Sequence, residues 1–178
     1  MMRRDALKRF KKNKYNIYLA LIGFIVLLLI FFFVKNKISD YNLRKHDNEI
    51  VIIKDSENNQ HSYTLKEIRK LKSVKKKVKL EKGLEEVELT GVALERLLGD
   101  LGYKLEESPD LIIEDSDGNY TTYPMSVALE VDRVLLVYKI NNKPNQDYDD
   151  SMGALSLIDT NSDSKDDWIK DVKVLNIK

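Results

Sequence analysis

The 178-residue chain contains no cysteine. That excludes disulfides, a thiolate nucleophile, cysteine-ligated metals or cofactors, and acylation of a lipoprotein cysteine. Histidine is scarce: His46 and His61 stand apart in linker-like sequence and make no metal pair. Serines and aspartates abound, but no local signature singles out a Ser-His-Asp arrangement. No internal repeat is evident, and strands and helices do not alternate in a βαβ rhythm. A strong excess of either charge is also missing, the formal net charge being +1.

What the chain has is one long hydrophobic run. Ile17–Val34, IYLALIGFIVLLLIFFFV, holds eighteen residues without a charge. At about 1.5 Å per residue it spans roughly 27 Å as a helix, close to the hydrocarbon thickness of a bilayer. A backbone crossing lipid must satisfy its own hydrogen bonds, so the segment reads as a single transmembrane helix. Arg3, Arg4, Lys8, Arg9, Lys11, Lys12 and Lys14 precede it, whereas only Lys35, Lys37, Arg44 and Lys45 follow closely. The positive-inside rule then places the N-terminus in the cytoplasm and the C-terminal part outside, on a single-pass cell-membrane protein. A cleaved signal peptide has a similar basic start, but FFFVKNKISD offers no A-x-A-like cleavage site. The reading is an uncleaved signal anchor.

The near-neutral total averages two unlike parts. Residues 1–37 carry nine Lys/Arg and one acid, which leaves 21 bases and 28 acids beyond them, a net of −7. An acidic outer part argues against nucleic-acid binding. The Lys-, Asn- and Ile-rich usage points to an AT-rich bacterial genome. Four regions are expected: a cytoplasmic basic stub (1–14), the anchor (15–36), an aperiodic juxtamembrane linker (37–48) and one extracytoplasmic domain (49–178).

Within that domain, EIVII (Glu49–Ile53) reads as a strand followed by turn chemistry in DSENN. Thr64–Glu67 fits a capping box opening a short helix that buries Leu65, Ile68 and Leu71. Val74, Val78 and Leu80 mark a strand, and Val87 and Leu89 mark its partner after a Lys82-Gly83 turn. VALERLL reads as a helix burying Val92, Leu94, Leu97 and Leu98, ended by Gly99 and Gly102. LIIE, DSDG and YTTY resemble a hairpin, with MSVALE a helical turn after it. Val134–Ile140, VLLVYKI, has the continuous apolar character of a buried central strand. ALSLI (Ala154–Ile158) is a further strand. Ile169, Val172, Val174, Leu175 and Ile177 suggest a last one containing a bulge or a switch of face. Short strands and few short helices indicate a mixed α+β domain.

The order YTLKEIRKL, TGVALERLLGDLG, a D-G hairpin, LLVYKINNKP, a glycine and DWIKDVKVLNIK resembles the sulfite oxidase-like oxidoreductase molybdopterin-binding domain family. Thr90–Gly102 matches its "tGvpL-x-x-LL-x-x-aG" helix, and Trp168–Lys178 its closing strand. The likeness covers about residues 49–178 and implies that fold for the whole outer domain. Catalytic members ligate molybdenum through one cysteine in the segment before the tGv helix. Here that segment is Val74–Leu80, VKKKVKL, and a lysine ammonium cannot replace a soft thiolate. The glycine-rich, arginine-bearing stretch before the closing strand is reduced to Gly153-Ala-Leu-Ser and an acidic loop. The fold is carried over and no catalytic residue is.

Other constellations have competing readings. Asp159, Asn161, Asp163 and Asp167 occupy positions 1, 3, 5 and 9 of a calcium-loop pattern, but Ser164 and Lys170 stand where glycine and a bidentate glutamate belong. They are weak calcium candidates in what otherwise reads as a solvated acidic loop. Asp115, Asp117 and Asn119 form a second acidic turn explained by hairpin chemistry. Lys66–Lys82 holds nine Lys/Arg against Glu67 and Glu81. It is either a face for anionic headgroups or wall polymers, or the lysine-protected edge of a sheet. Tyr120, Tyr123, Tyr138, Tyr148 and Trp168 line a pocket or pack the core.

The expectation is therefore a membrane-anchored extracytoplasmic binding or interaction module on a sulfite oxidase-like fold, without molybdenum catalysis. It would engage an envelope protein partner or a small ligand. No catalytic or cofactor-binding residue can be named, and no cofactor is expected; molybdopterin is implied by the resemblance alone. The alternative is a molybdopterin-dependent oxidoreductase or redox-complex subunit holding its cofactor without a cysteine ligand. A third reading, a calcium-dependent surface module, predicts a melting temperature that rises with calcium.

Overall fold

Met2–Arg44 contains no proline, and it forms one helix, α1. The computed structural model describes residues 2–55, 59–101 and 110–178, with side chains from residue 14 onward. The chain divides into two units, residues 1–40 and 41–178. In the first, Lys14–Arg44 is long and apolar enough to cross a membrane, with a mean hydropathy of 3.1 in its most apolar window and none of that window buried. Leu27, Leu29, Phe31 and Phe33 are all exposed along it. The apolar residues of Ile17–Val34 run round the whole helix, whose length and composition are enough to cross a bilayer. The helix continues through the segment read as an aperiodic linker, as far as Arg44. No glycine or proline interrupts residues 35–44. In the second unit Leu43 is buried in the core, and Asn42 Nδ2 donates to Asp147 Oδ2 at 2.9 Å.

Residues 41–178 form a mixed α+β domain of two sheets, as the sequence suggests. The first has the order β2-β1-β10-β5-β6, built from β1 (Ile50–Lys54), β2 (Gln60–Thr64), β5 (Asp110–Asp115), β6 (Tyr120–Pro124) and β10 (Val172–Ile177). The second comprises β3 (Ser73–Leu80), β4 (Glu85–Ala93), β7 (Val134–Ile140) and the two-residue β8 (Lys143–Pro144), with β9 (Ser156–Asp159) also paired to β7. Short helices α2 (Leu65–Ile68), α3 (Leu94–Asp100) and α4 (Met125–Ala128) contribute to the core shared by the inner face of the first sheet and one face of the second. A smaller core on the other face of the second sheet gathers Val78, Leu80, Leu89, Leu135, Val137, Met152 and Trp168. Helix α5 (Asn145–Tyr148) follows β8.

Local signals are met closely at several points. Thr64 Oγ1 accepts from the Glu67 amide and Glu67 Oε2 accepts from the Thr64 amide, completing the capping box. All seven residues of β7 are buried. The bulge expected in the last strand lies between Val172 and Val174. Elsewhere tertiary pairing overrides the local pattern. Val92 and Ala93, read as the start of a helix, belong to β4 because they pair with Leu136 and Leu135 of β7; the helix begins at Leu94. Polar Gln60–Thr64, with no strand pattern of its own, is a strand because β1 templates it. Gly102, expected to end α3, lies outside the described residues.

The structure corrects the absence of an internal repeat. Hairpins β1–β2 and β5–β6 flank β10 on either side, each followed by a one-turn helix. At an offset of sixty residues, Ile52-Ile53, Asp55, Asn59 and Tyr63 recur as Ile112-Ile113, Asp115, Asn119 and Tyr123. Both turns use the same device. The aspartate carboxylate accepts from the asparagine backbone amide at 2.8 or 2.9 Å and from its side-chain amide at 3.0 or 2.9 Å. The two copies meet β10 in opposite senses, β1 running parallel to it and β5 antiparallel.

Gly91 is where the second sheet is most tightly specified. The register of β4 on β7 shifts between Thr90 and Gly91. A Cβ at Gly91 would lie 2.4 Å from the Leu136 carbonyl oxygen and 2.8 Å from Val137 Cα, both backbone atoms that cannot swing aside. Gly99, in α3, has nothing within 4 Å of such a Cβ. Gly91→Ala is expected to lower stability by about 1–3 kcal/mol. Gly99→Ala should leave it unchanged or raise it by about 0.5–1 kcal/mol. Urea unfolding of the two variants side by side checks both signs.

Candidate functional site

Two of the five aromatic residues weighed for a pocket come together. Tyr148 ends α5 and Trp168 follows a 3-10 turn at Lys165–Asp167. With Asp149, Met152, Lys165 and Lys170 they line a pocket of about 390 Å³. The other three aromatics go elsewhere: Tyr120, exposed on β6, lines a separate open pocket of about 390 Å³ with Lys54, Glu114 and Asn176, Tyr138 is buried in the core, and Tyr123 binds Asp159.

Trp168 is only 4% exposed and packs with Met152 in the smaller core, so the apolar wall of the pocket is fixed by that core. Its indole Nε1 is buried without a hydrogen-bond partner among the described residues. Lys165 Nζ lies 2.7 Å from Glu85 Oε1 and 5.6 Å from the Tyr148 ring centroid. Glu85 and then Tyr148 hold its ammonium above the usual lysine range, so it is a fixed cation and not an amine nucleophile. Lys170 Nζ donates to Ser151 Oγ at 3.2 Å. Asp149 accepts from the Ser151 amide at 2.9 Å and from its hydroxyl at 2.7 Å, which holds its carboxyl below the ordinary range. An aromatic and thioether wall with two ammonium groups suits a small ligand that has an apolar or planar part and a negative group. Among the described residues that line the pocket there is no nucleophile–base pair. Sequence reasoning named Tyr148 and Trp168 but missed Lys165, Lys170 and Met152; the visible signal is the pair of lysines bracketing Trp168 within an acidic loop.

The weak calcium candidates are differently engaged. Asp159, at the end of β9, faces Arg133: Nε lies 3.1 Å from each carboxylate oxygen and Nη2 2.9 Å from Oδ2. Tyr123 Oη donates to the same Oδ2 at 2.8 Å and the Asn161 amide to Oδ1 at 2.9 Å. The Asp163 carbonyl accepts from the Glu81 amide, and Asp167 accepts from Ser162 Oγ at 2.7 Å. Among the described residues, no group of three or more His, Cys, Asp or Glu side chains is placed to hold a metal ion. His46 follows α1 in a turn and His61 lies on β2. In the other acidic turn, Asp115 accepts from the amides of Asp117 and Asn119, as hairpin chemistry requires.

No family model matches the chain. No curated protein matches it either. Among solved structures, the sulfane dehydrogenase SoxCD from Paracoccus pantotrophus is similar, with a TM-score of 0.56 and 18% sequence identity over 74% of this chain. The matched region is 38% of that chain, and the likeness is one of domain fold. This distant likeness agrees with the sulfite oxidase-like fold.

The resemblance to molybdopterin-binding domains implies a metal-ligating thiolate in the segment that β3 occupies. There Val78 and Leu80 are buried in the smaller core. Lys76 is half-buried, and its Nζ donates to the Asp132 carbonyl at 2.9 Å and to Thr160 Oγ1 at 2.8 Å. This donor set does not fit a thiolate-ligated molybdenum centre.

The Arg133–Asp159–Tyr123 cluster sets a pH dependence. Burial alone would raise the Asp159 pKa, but Arg133, the Asn161 amide and Tyr123 together hold it below the usual aspartate range. Burial and the neighbouring carboxylate push the Tyr123 phenol up. Because the folded value lies below the unfolded one, Asp159 stabilises the fold fully at neutral pH. That contribution is lost as pH falls through the depressed value. Asp159→Asn should therefore cost about 1–3 kcal/mol at pH 7, with the gap to wild type closing below about pH 4. Urea unfolding as a function of pH measures it.

Proposed function

We propose that this chain is a single-pass, N-in membrane protein whose C-terminal domain works outside the cell as a non-catalytic binding module. Its occupant would be a small ligand or a protein partner in an envelope complex. The observation that carries the reading is the Tyr148–Trp168 pocket, with its apolar wall and two ammonium groups, on a domain whose β3 bears lysines and valines instead of a metal ligand. The anchor supports the address. Fifteen residues separate Val34 from Ile50, a short tether, and the basic excess before Ile17 supports the orientation. The acidic outer part, net −7, speaks against a nucleic-acid partner.

The fold likeness to a sulfane dehydrogenase favours a second reading, in which the domain holds a pterin cofactor by hydrogen bonds and charge as a subunit of a redox complex. One experiment separates the two. The full chain is purified in mild detergent, and its molybdenum, pterin and co-purifying small molecules are measured. The binding-module reading expects molybdenum well below one per chain and a bound molecule that Tyr148→Ala or Lys170→Ala releases. Stoichiometric molybdenum with oxidoreductase turnover would overturn it. Protease added to intact cells should digest residues 41–178 and spare an N-terminal tag; the reverse pattern would overturn the orientation.

A further inference from the structure

We propose that β3 is a docking edge that takes up an acidic segment of a partner protein as an added, hydrogen-bonded strand. The proposal rests on the reading of the domain as an interaction module and names a second surface and the chemistry of its partner. β3 is the outermost strand of the second sheet, and its one strand neighbour is β4, to which Ser73–Leu80 pairs in unbroken register. A strand with one neighbour turns alternate N–H and C=O groups outward. Among the described residues, no loop, helix or further strand bonds to the backbone of Ser73–Leu80 from that side. The other edges are poorer templates. β2 and β6 have five residues each, β6 ends on Pro124, and β8 has two residues.

Charge selects the occupant. Lys75, Lys77 and Lys79 alternate along the exposed face of β3, and the first two are 64% and 66% exposed. The strand behind them carries the opposite sign. Lys77 Nζ is 2.7 Å from Glu86 and Lys75 Nζ is 3.9 Å from Glu88. A row of cations at the edge is thus backed by a row of anions on β4. A further strand with Asp or Glu at every second position would extend this alternation, each cross-strand pair adding favourably. A second copy of this chain is a poor occupant, because antiparallel pairing of β3 with itself about Lys77 sets Lys77 against Lys77 and Lys75 against Lys79. On the opposite face β3 presents Val74, Lys76, Val78 and Leu80. The Lys76 ammonium is already held by the Asp132 carbonyl and Thr160, so the intervening positions of the partner that flank the valines and Leu80 should be β-branched or aliphatic.

The test uses the full chain in a non-ionic detergent at low salt. The probe is a fluorescent peptide of about ten residues alternating glutamate with valine, compared with an analogue of identical charge N-methylated on the residues whose amides would face β3. The parent peptide is expected to bind. Both N-methylation and Lys75→Gln/Lys77→Gln/Lys79→Gln should weaken it by about tenfold or more. The glutamine variant keeps the strand without introducing repulsion from Glu86 and Glu88, and its circular dichroism verifies folding. Equal binding of the N-methylated peptide, or no binding of the parent, overturns the proposal. So does a lysine-dependent attraction of the chain, reconstituted in phosphatidylcholine vesicles, to phosphatidylglycerol vesicles without peptide binding, which would identify a lipid-facing patch. None of these outcomes touches the measurement on the Tyr148–Trp168 pocket, so the two readings fail separately.

Discussion

A strand buried on both faces must satisfy its backbone polar groups entirely along its two edges, and β7 is such a strand. One edge is taken by β4. The other is shared, with β9 pairing Val134–Val137 and the short β8 pairing Lys139–Ile140. At the handover, Pro144 pairs with Lys139 but has no N–H to give. Asn145 closes the gap: its Nδ2, fully buried, donates to the Val137 carbonyl at 2.8 Å and lies 3.3 Å from Ser156 Oγ. Ser156 Oγ in turn donates to the Met152 carbonyl at 2.7 Å. A single amide thus ties β7, β9 and the 3-10 turn Asp150–Met152 together.

That tie positions the pocket. Asn145 opens α5, Tyr148 closes it, and Met152 lies at the end of the turn that Ser156 holds. The backbone then passes through Gly153 at a φ of +61°, where a Cβ would lie 1.9 Å from Asp171 Oδ1. Only glycine meets both demands there. The Asp171 amide bonds to the Met152 carbonyl, so the chain between Trp168 and β10 is clamped against the same turn. The two sides of the pocket come from segments some twenty residues apart in sequence, held in place by the central strand. The same strand begins beside Arg133, whose grip on Asp159 fixes the far end of β9.

How much of this was legible follows from the range of the forces involved. β7 was readable because burial on both faces leaves a continuous apolar run, and the Thr64–Glu67 cap because its two hydrogen bonds span three residues. The Asp-Asn turns were readable for the same reason. Gln60–Thr64 was not, since a polar edge strand owes its shape to the partner that templates it. The spacing of Val92 suits a helix, and only the pairing with Leu136 reveals the strand. The pocket was half legible: aromatics announce themselves by size, whereas Lys165 and Lys170 look like solvated charge until Glu85 and Ser151, 80 and 19 residues away, are seen to hold them. The role of Arg133 is invisible locally for the same reason, its partner being 26 residues distant.

Lys76 links the frame to the surface chemistry of β3. An edge strand has hydrogen bonds on one side alone and would be free to fray. Here an ammonium from the middle of the strand reaches across to the Asp132 carbonyl, just before β7, and to Thr160, just after β9. Three segments distant in sequence are pinned by one side chain. The long aliphatic stem keeps the segment packed while the charge finds two acceptors. A cysteine at this place could not span that distance or donate to two oxygens. The lysine therefore makes β3 stiffer, and a rigid strand loses little conformational entropy when another chain pairs with it. The lysine that stands in this segment in place of a thiolate is thus a pin between β3 and the segments that flank β7 and β9.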